Sequence, residues 1–237
     1  MRTKWLVPCS IAFLVLACGD DGSTNETGAA ATETGPGDGT VGDGPTEGDT
    51  TSGIAPGTMS FFVTSQGSGA RGGNFGGLAG ADAWCQELAV AAGVGDLTWH
   101  AYLSTTTEDA RDRIGAGPWY NYAGEMIAAD VASLHANGLS NDDPQHVLTE
   151  YGEEVEVADS YDILTGSTEE GTYYEERTCN DWTSDTSDVK ARVGHSSPPN
   201  DPEYSSSWNS AHATNGCSED DLIEDTGIGR VYCFAID

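Results

Sequence analysis

Arg230-Val231-Tyr232-Cys233-Phe234-Ala235-Ile236, entered through Gly227-Ile228-Gly229, is the stretch on which the reading of this chain turns. Its apolar, aromatic and β-branched residues describe a strand. It ends one residue before the last, and a terminal strand stays ordered only when something ties it down. We take the tie to be a disulfide from Cys233 to Cys85. Leu78, Ala81, Cys85, Leu88 and Ala92 recur at steps of three and four, which places Cys85 on the inward face of a helix. Such a bond would join the beginning of one domain to its end.

Working outward, Ser60 to Ser65 reads as the opening strand, followed by a glycine-rich loop from Gly67 to Gly77. The helix from Leu78 to Ala89 is ended by Gly93 and Gly95. Thr98 to Ser104 is a second strand. Thr107 to Ile114 is a short helix that Thr107 can cap, with Glu108 and Asp109 in its first turn. Ala129 to Leu134 is another. Asn141 to Glu176 is acid-rich with weak periodicity, and it reads as a long functional or mobile loop. Order returns at Cys179 to Ser184 and at Val189 to Gly194, then at Ser207 to Ser210 and Asn215 to Cys217. No internal repeat is visible. The expected class is α+β with long loops.

The 237 residues include 39 acidic and 9 basic ones, a formal charge of −30. That balance argues against nucleic acid, whose phosphates demand Lys and Arg. It argues equally against anionic lipid or heparin-like polymers held by a basic patch. Residues 1–18 read as a lipoprotein signal peptide: Arg2 and Lys4, then an apolar run from Trp5 to Leu16, then Ala17 before the cut. Val15-Leu16-Ala17-Cys18 resembles the bacterial lipobox, which makes Cys18 the lipidated residue and lodges the chain at a membrane. The expected localisation is the cell envelope, at the outer membrane or cell surface of a bacterium. Residues 19–58 hold almost nothing to bury and read as a disordered tether. Residues 59–237 are then one domain, long enough for a single sizeable core.

Beyond Cys9 and Cys18, four cysteines remain, and four allow three pairings. Export favours disulfides over thiol or metal chemistry. We adopt the nested scheme, Cys85–Cys233 and Cys179–Cys217. Loop-closure entropy alone would make the longer bridge worth ~5 kcal/mol and the shorter ~4.

This layout resembles the C-type lectin-like fold, in which a helix cysteine pairs with the final strand and an inner pair staples the long-loop region. The words Phe62-Val63-Thr64-Ser65, Gly77-Leu78-Ala79-Gly80-Ala81-Asp82-Ala83, Ala110 to Ile114, Pro118-Trp119-Tyr120-Asn121, Cys179-Asn180-Asp181-Trp182-Thr183-Ser184 and Val231-Tyr232-Cys233-Phe234 occur in order. They resemble the bacterial endostatin-like lipoprotein domain known from leptospiral surface proteins. The resemblance implies a non-catalytic surface module binding extracellular protein ligands, such as matrix proteins and complement regulators. Vertebrate endostatin holds zinc through N-terminal histidines and heparin through an arginine cluster. No histidine precedes Phe61 here and the remaining basic residues are scattered, so neither ligand is carried over. The Glu-Pro-Asn and Trp-Asn-Asp words of calcium-dependent sugar-binding lectins are also missing.

Calcium without sugar is a candidate, because it takes six to eight oxygen ligands. Asn141, Asp142 and Asp143 form one group of donors, and Asp181, Asp185 and Asp188 another. The competing reading is a solvated acidic surface. No other cofactor is implied. His100, His135, His146, His195 and His212 lack metalloprotease spacing, and neither a nucleophile elbow nor a phosphate loop occurs. His195 and His212 read as loop residues. Trp119 and Trp182 read as core, whereas Trp208 and Asn209, flanked by serines, read as facing a ligand. The expected function is an exported binding module for an extracellular protein. A calcium-dependent glycan binder is the alternative, and an extracytoplasmic hydrolase the third reading.

Overall fold

A computed structural model describes residues 58–139, 146–155, 160–196 and 207–237. The signal-like segment with Cys18, nearly all of the tether, and Asn141, Asp142 and Asp143 lie outside the described residues. No helix among the described residues is long and apolar enough to cross a membrane.

The strands are β1 (Phe61–Val63), β2 (Trp99–Ala101), β3 (Trp119–Tyr120), β4 (Met126–Ala128), β5 (Asp162–Leu164), β6 (Arg192–His195), β7 (His212–Ala213) and β8 (Gly227–Ala235). The helices are α1 (Leu78–Ala91), α2 (Ala110–Arg113), α3 (Val131–Asn137), α4 (Cys179–Trp182) and α5 (Glu219–Glu224). The class is mixed α and β, as expected. β8 is the axis of the main sheet. One edge pairs antiparallel with β1, Phe62 opposite Cys233. The other edge is shared: β2 runs antiparallel beside the C-terminal half, and β5 runs parallel beside Arg230 and Val231. Beyond β5 the sheet continues through β6 to β7, while β3 and β4 form a separate ribbon.

Side chains alternate across a strand, and in β8 both faces are buried. Val231, Cys233 and Ala235 enter one hydrophobic cluster with Phe62, Trp99, Leu164, Trp182 and the inner face of α1. Tyr232 and Phe234 enter a second with Phe61, Ile163, Tyr102, Trp119 and Trp208. This explains why the run is apolar throughout rather than alternating. Cys85 on α1 is bonded to Cys233, with Cα atoms 5.6 Å apart, and Cys179 is bonded to Cys217. Both disulfides of the nested scheme are therefore present.

Several elements differ from the sequence expectation. The short helix α2 begins after Asp109, not Thr107, and Asp109 Oδ1 accepts from Tyr173 N instead of capping. α3 starts later than expected because Asp130 and Ser133 form a reciprocal capping box. The acid-rich segment is no uniform loop: it contributes β5 to the middle of the sheet. It also supplies Glu150, which is fully buried and accepts from Ser65 N at 2.8 Å and Ser65 Oγ at 2.5 Å.

One buried ion pair ties α1, β2 and α2 together. Arg113 Nη2 lies 2.6 Å from Asp82 Oδ2, and Arg113 Nη1 donates to Ala101 O at 2.5 Å. Asp82 Oδ1 accepts from Ala101 N at 2.9 Å. With the Arg113 side chain only 3% exposed, removing Asp82 leaves its charge in the core with only the looser, half-exposed Glu108, 3.7 Å from Nε. Asp82→Ala is expected to destabilise by about 3–5 kcal/mol in urea unfolding. The double variant Asp82→Leu with Arg113→Met should lose clearly less than Asp82→Ala, because no unpaired charge remains; equal losses would refute this account.

Candidate functional site

Among the described residues, two places gather groups capable of chemistry. The first is an open cleft of about 560 Å³ whose lining includes Thr106, Tyr173, Arg177, Asn180, Asp188 and Lys190. That volume lies within the range of small-ligand sites. One wall is α4, which is not an ordinary helical turn. Cys179, Asn180, Asp181 and Trp182 all have φ between 48° and 62°, in the left-handed region. Glu176, just before it, has φ 56°. Left-handed backbone costs roughly 1–2 kcal/mol per residue that carries a Cβ, less for Asn and Asp.

The surroundings hold this turn from every side. Cys179 is bonded to Cys217, and Trp182 is fully buried with Nε1 donating to Ser104 O at 2.8 Å. Trp182 O accepts from Phe75 N and Gly77 N. Asp181 Oδ1 accepts from Thr106 N at 3.0 Å and Oδ2 from Thr106 Oγ1 at 2.5 Å. Thr178 Oγ1 accepts from Asp181 N at 3.1 Å. Gly73 passes so close that a Cβ there would lie 2.3 Å from Cys179 Sγ. Strain held this firmly is a feature of binding and catalytic sites. The turn brings Asn180 to the cleft that is also lined by Arg177 and Lys190, two of the few cations of an acidic chain.

The second place lies on the outer strands of the sheet. Asp162 opens β5 directly opposite His195 at the end of β6, and His212 on β7 pairs with Val193, two residues from His195. A period of two puts all three side chains on one face. Asp162 Oδ1 is 3.3 Å from His195 Nε2, and Oδ2 is 3.2 Å from His212 Nε2. Asp162 and His195 are buried, while the His212 side chain is 38% exposed. Hydrogen bonding to the Asp162 carboxylate holds the His212 imidazole above its ordinary pKa, against the opposing effect of burial. Asp225 stands near this group with its carboxyl pushed up by burial, and it accepts from Asn215 N and Nδ2. The expectation that His195 and His212 lie in loops is corrected: both are strand residues. Cross-strand register, invisible to spacing along the chain, is what unites them.

The remaining expected site residues divide. Asp181 lines the cleft, but its carboxylate is engaged by Thr106. Asp188 also lines it and accepts from Thr186 Oγ1. Among the described residues, Asp181, Asp185 and Asp188 do not gather into a three-donor cluster; the group that does is Asp162, His195 and His212. Trp208 and Asn209 do not face a ligand. Trp208 is 5% exposed, packed on Tyr102 and Tyr232. Asn209 is 1% exposed, and its Nδ2 donates to Tyr102 Oη at 3.0 Å and to the carbonyls of Thr168 and Glu169. Tyr102 in turn meets His135 Nε2 at 2.8 Å, and burial raises the phenol and lowers the imidazole pKa.

The strain in the cleft wall can be read in a variant. Glu176→Gly removes a Cβ from a left-handed position and should raise stability by about 0.5–1 kcal/mol in chemical denaturation. Gly73→Ala should do the reverse, by about 1–3 kcal/mol, through the clash with Cys179 Sγ. Compared with protein-family models and with curated protein sequences, the chain matches none.

Proposed function

We propose that this chain is an exported, non-catalytic binding module of C-type lectin-like, endostatin-like architecture, anchored through a lipid on Cys18 and recognising an extracellular protein. One observation carries the reading: a left-handed turn, locked by the Cys179–Cys217 disulfide, walls a polar cleft. A fold that holds four consecutive left-handed residues in place presents a rigid surface, and rigid contact groups lose little entropy on binding. Two disulfides also suit an oxidising compartment outside the cytosol. Helix-to-last-strand and inner-loop bridges are the arrangement that the lectin-like resemblance implies. Within the cleft, Arg177 and Lys190 offer charge, Asn180 offers amide donors, and Tyr173 an aromatic face. Such a mixture suits a polar peptide segment of a protein partner.

The test is solid-phase binding of the full chain to immobilised extracellular-matrix proteins and complement regulators, beside a glycan array with and without calcium. Saturable protein binding that falls at least about tenfold in the Arg177→Ala, Lys190→Ala double variant is the expected result; groups at the centre of an interface typically carry this much. Binding indifferent to both substitutions removes the cleft from the account. A signal confined to glycans and abolished by chelation selects the calcium-dependent lectin reading instead.

A further inference from the structure

We infer that Asp162, His195 and His212 form a binding site for a divalent transition-metal ion of the zinc class. Asp162 is 2% exposed, and its side-chain oxygens gather no backbone N–H, hydroxyl or amide donor, only the His195 and His212 rings. A buried carboxylate normally collects such donors or a cation. What faces it instead are two imidazole nitrogens, at 3.3 and 3.2 Å.

Those separations discriminate. A charge-assisted N–H···O bond contracts to about 2.7–2.9 Å. A tetrahedral ion with bonds of about 2.0–2.2 Å to nitrogen and oxygen places its ligand atoms about 3.3–3.5 Å apart. The two observed distances lie beside the second range, and the three ligand atoms fall within 4.8 Å of one another. Two imidazoles and one carboxylate suit zinc and its neighbours, and they do not suit calcium, which asks for oxygen alone. The four cysteines of the domain are consumed in disulfides, so no thiolate there competes for the ion.

Placement on strands adds to the case. Each ligand sits on a different, hydrogen-bonded strand, so the backbone sets the three directions before any ion arrives. Preorganised ligands on rigid elements are what a metal site requires. The exposed flank of His212 supplies an entry path, and three protein ligands leave a coordination position for water or an anionic group. The site is separate from the cleft and shares no residue with its lining.

The experiment uses the full chain without a polyhistidine tag, stripped by a chelator and titrated with zinc chloride. One equivalent is expected to bind, with the melting temperature rising by about 5–10 °C at a hundredfold excess over Kd. Cobalt(II) in place of zinc should give visible absorption bands of a low-coordinate site. His212→Gln, on a two-residue edge strand, keeps the size of the side chain and should retain the fold while weakening zinc at least tenfold. His146→Ala, which removes a histidine outside the cluster, should leave binding unchanged. The inference is overturned by a wild-type chain that takes up no zinc. It is equally overturned if His212→Gln binds zinc as the wild type does, since uptake then belongs to the acidic surface. Failure here leaves the cleft reading untouched, because neither variant lies in it.

Discussion

Everything in this molecule depends on β8 being held on both edges and both faces at once. A nine-residue strand by itself holds no order in water. Here β1 pairs with Tyr232, Cys233 and Phe234 on one side and β2 and β5 lie on the other, while Ser68 N donates to Ile228 O near the start of the strand. Val231 and Cys233 point into the α1 cluster while Tyr232 and Phe234 point into the aromatic one. The Cys85–Cys233 bond adds a covalent tie between the strand and the helix that packs on it. Its closed loop spans 148 residues, so it removes much of the freedom of the unfolded chain.

From that axis the rest of the fold can be loose without being unstable. The other described strands are two to four residues long, and much of the described chain between them is turn and irregular backbone. Such segments need local anchors, and the buried polar groups supply them. Arg113 with Asp82 fastens α2 to α1 and β2; Glu150 fastens its segment to Ser65; Asn209, Tyr102 and His135 fasten the loop of Trp208 to α3. Each meets partners far away in sequence. A low-dielectric interior makes such networks costly when incomplete, and so specific for one arrangement.

The parts legible in the sequence were those governed by local rules. Helical spacing placed Cys85 inward, and the apolar run from Val231 to Ala235 marked the strand it meets. Trp119 and Trp182 were core by their size, and both are fully buried. What escaped was set by partners distant along the chain. β5 is three residues inside an acid-rich stretch, too short to show an alternation, yet it lies between β8 and β6. Trp208 sits among serines that suggest solvent, but Tyr102 and Tyr232 close over it. The four left-handed residues of α4 are imposed by the Cys179–Cys217 bridge and by the burial of Trp182; Asn180 and Asp181, which tolerate that conformation, were the single local hint. His195 and His212 stand 17 positions apart and meet only because β6 and β7 pair.

The outer strands raise a mechanical question that the disulfides answer only in part. β6 and β7 form an antiparallel pair whose Arg192 end adjoins the inner disulfide, since Cys179 N donates to Lys190 O and Thr178 bridges to Ala191. That end cannot open without moving a covalent bond. The opposite end carries His195, and β7 contributes only His212 and Ala213, too little backbone to hold an edge by itself. It is at this unstapled end that Asp162 confronts the two imidazoles. Filling the position with leucine or valine, as at Leu164 and Val193 one step inward, would have extended the core. An ionised carboxylate buried there costs several kcal/mol of desolvation unless a positive charge offsets it, and the groups that face it are the two imidazoles. A proton on His212 can supply that charge, and so can a metal ion; the ion alone also bonds all three strands.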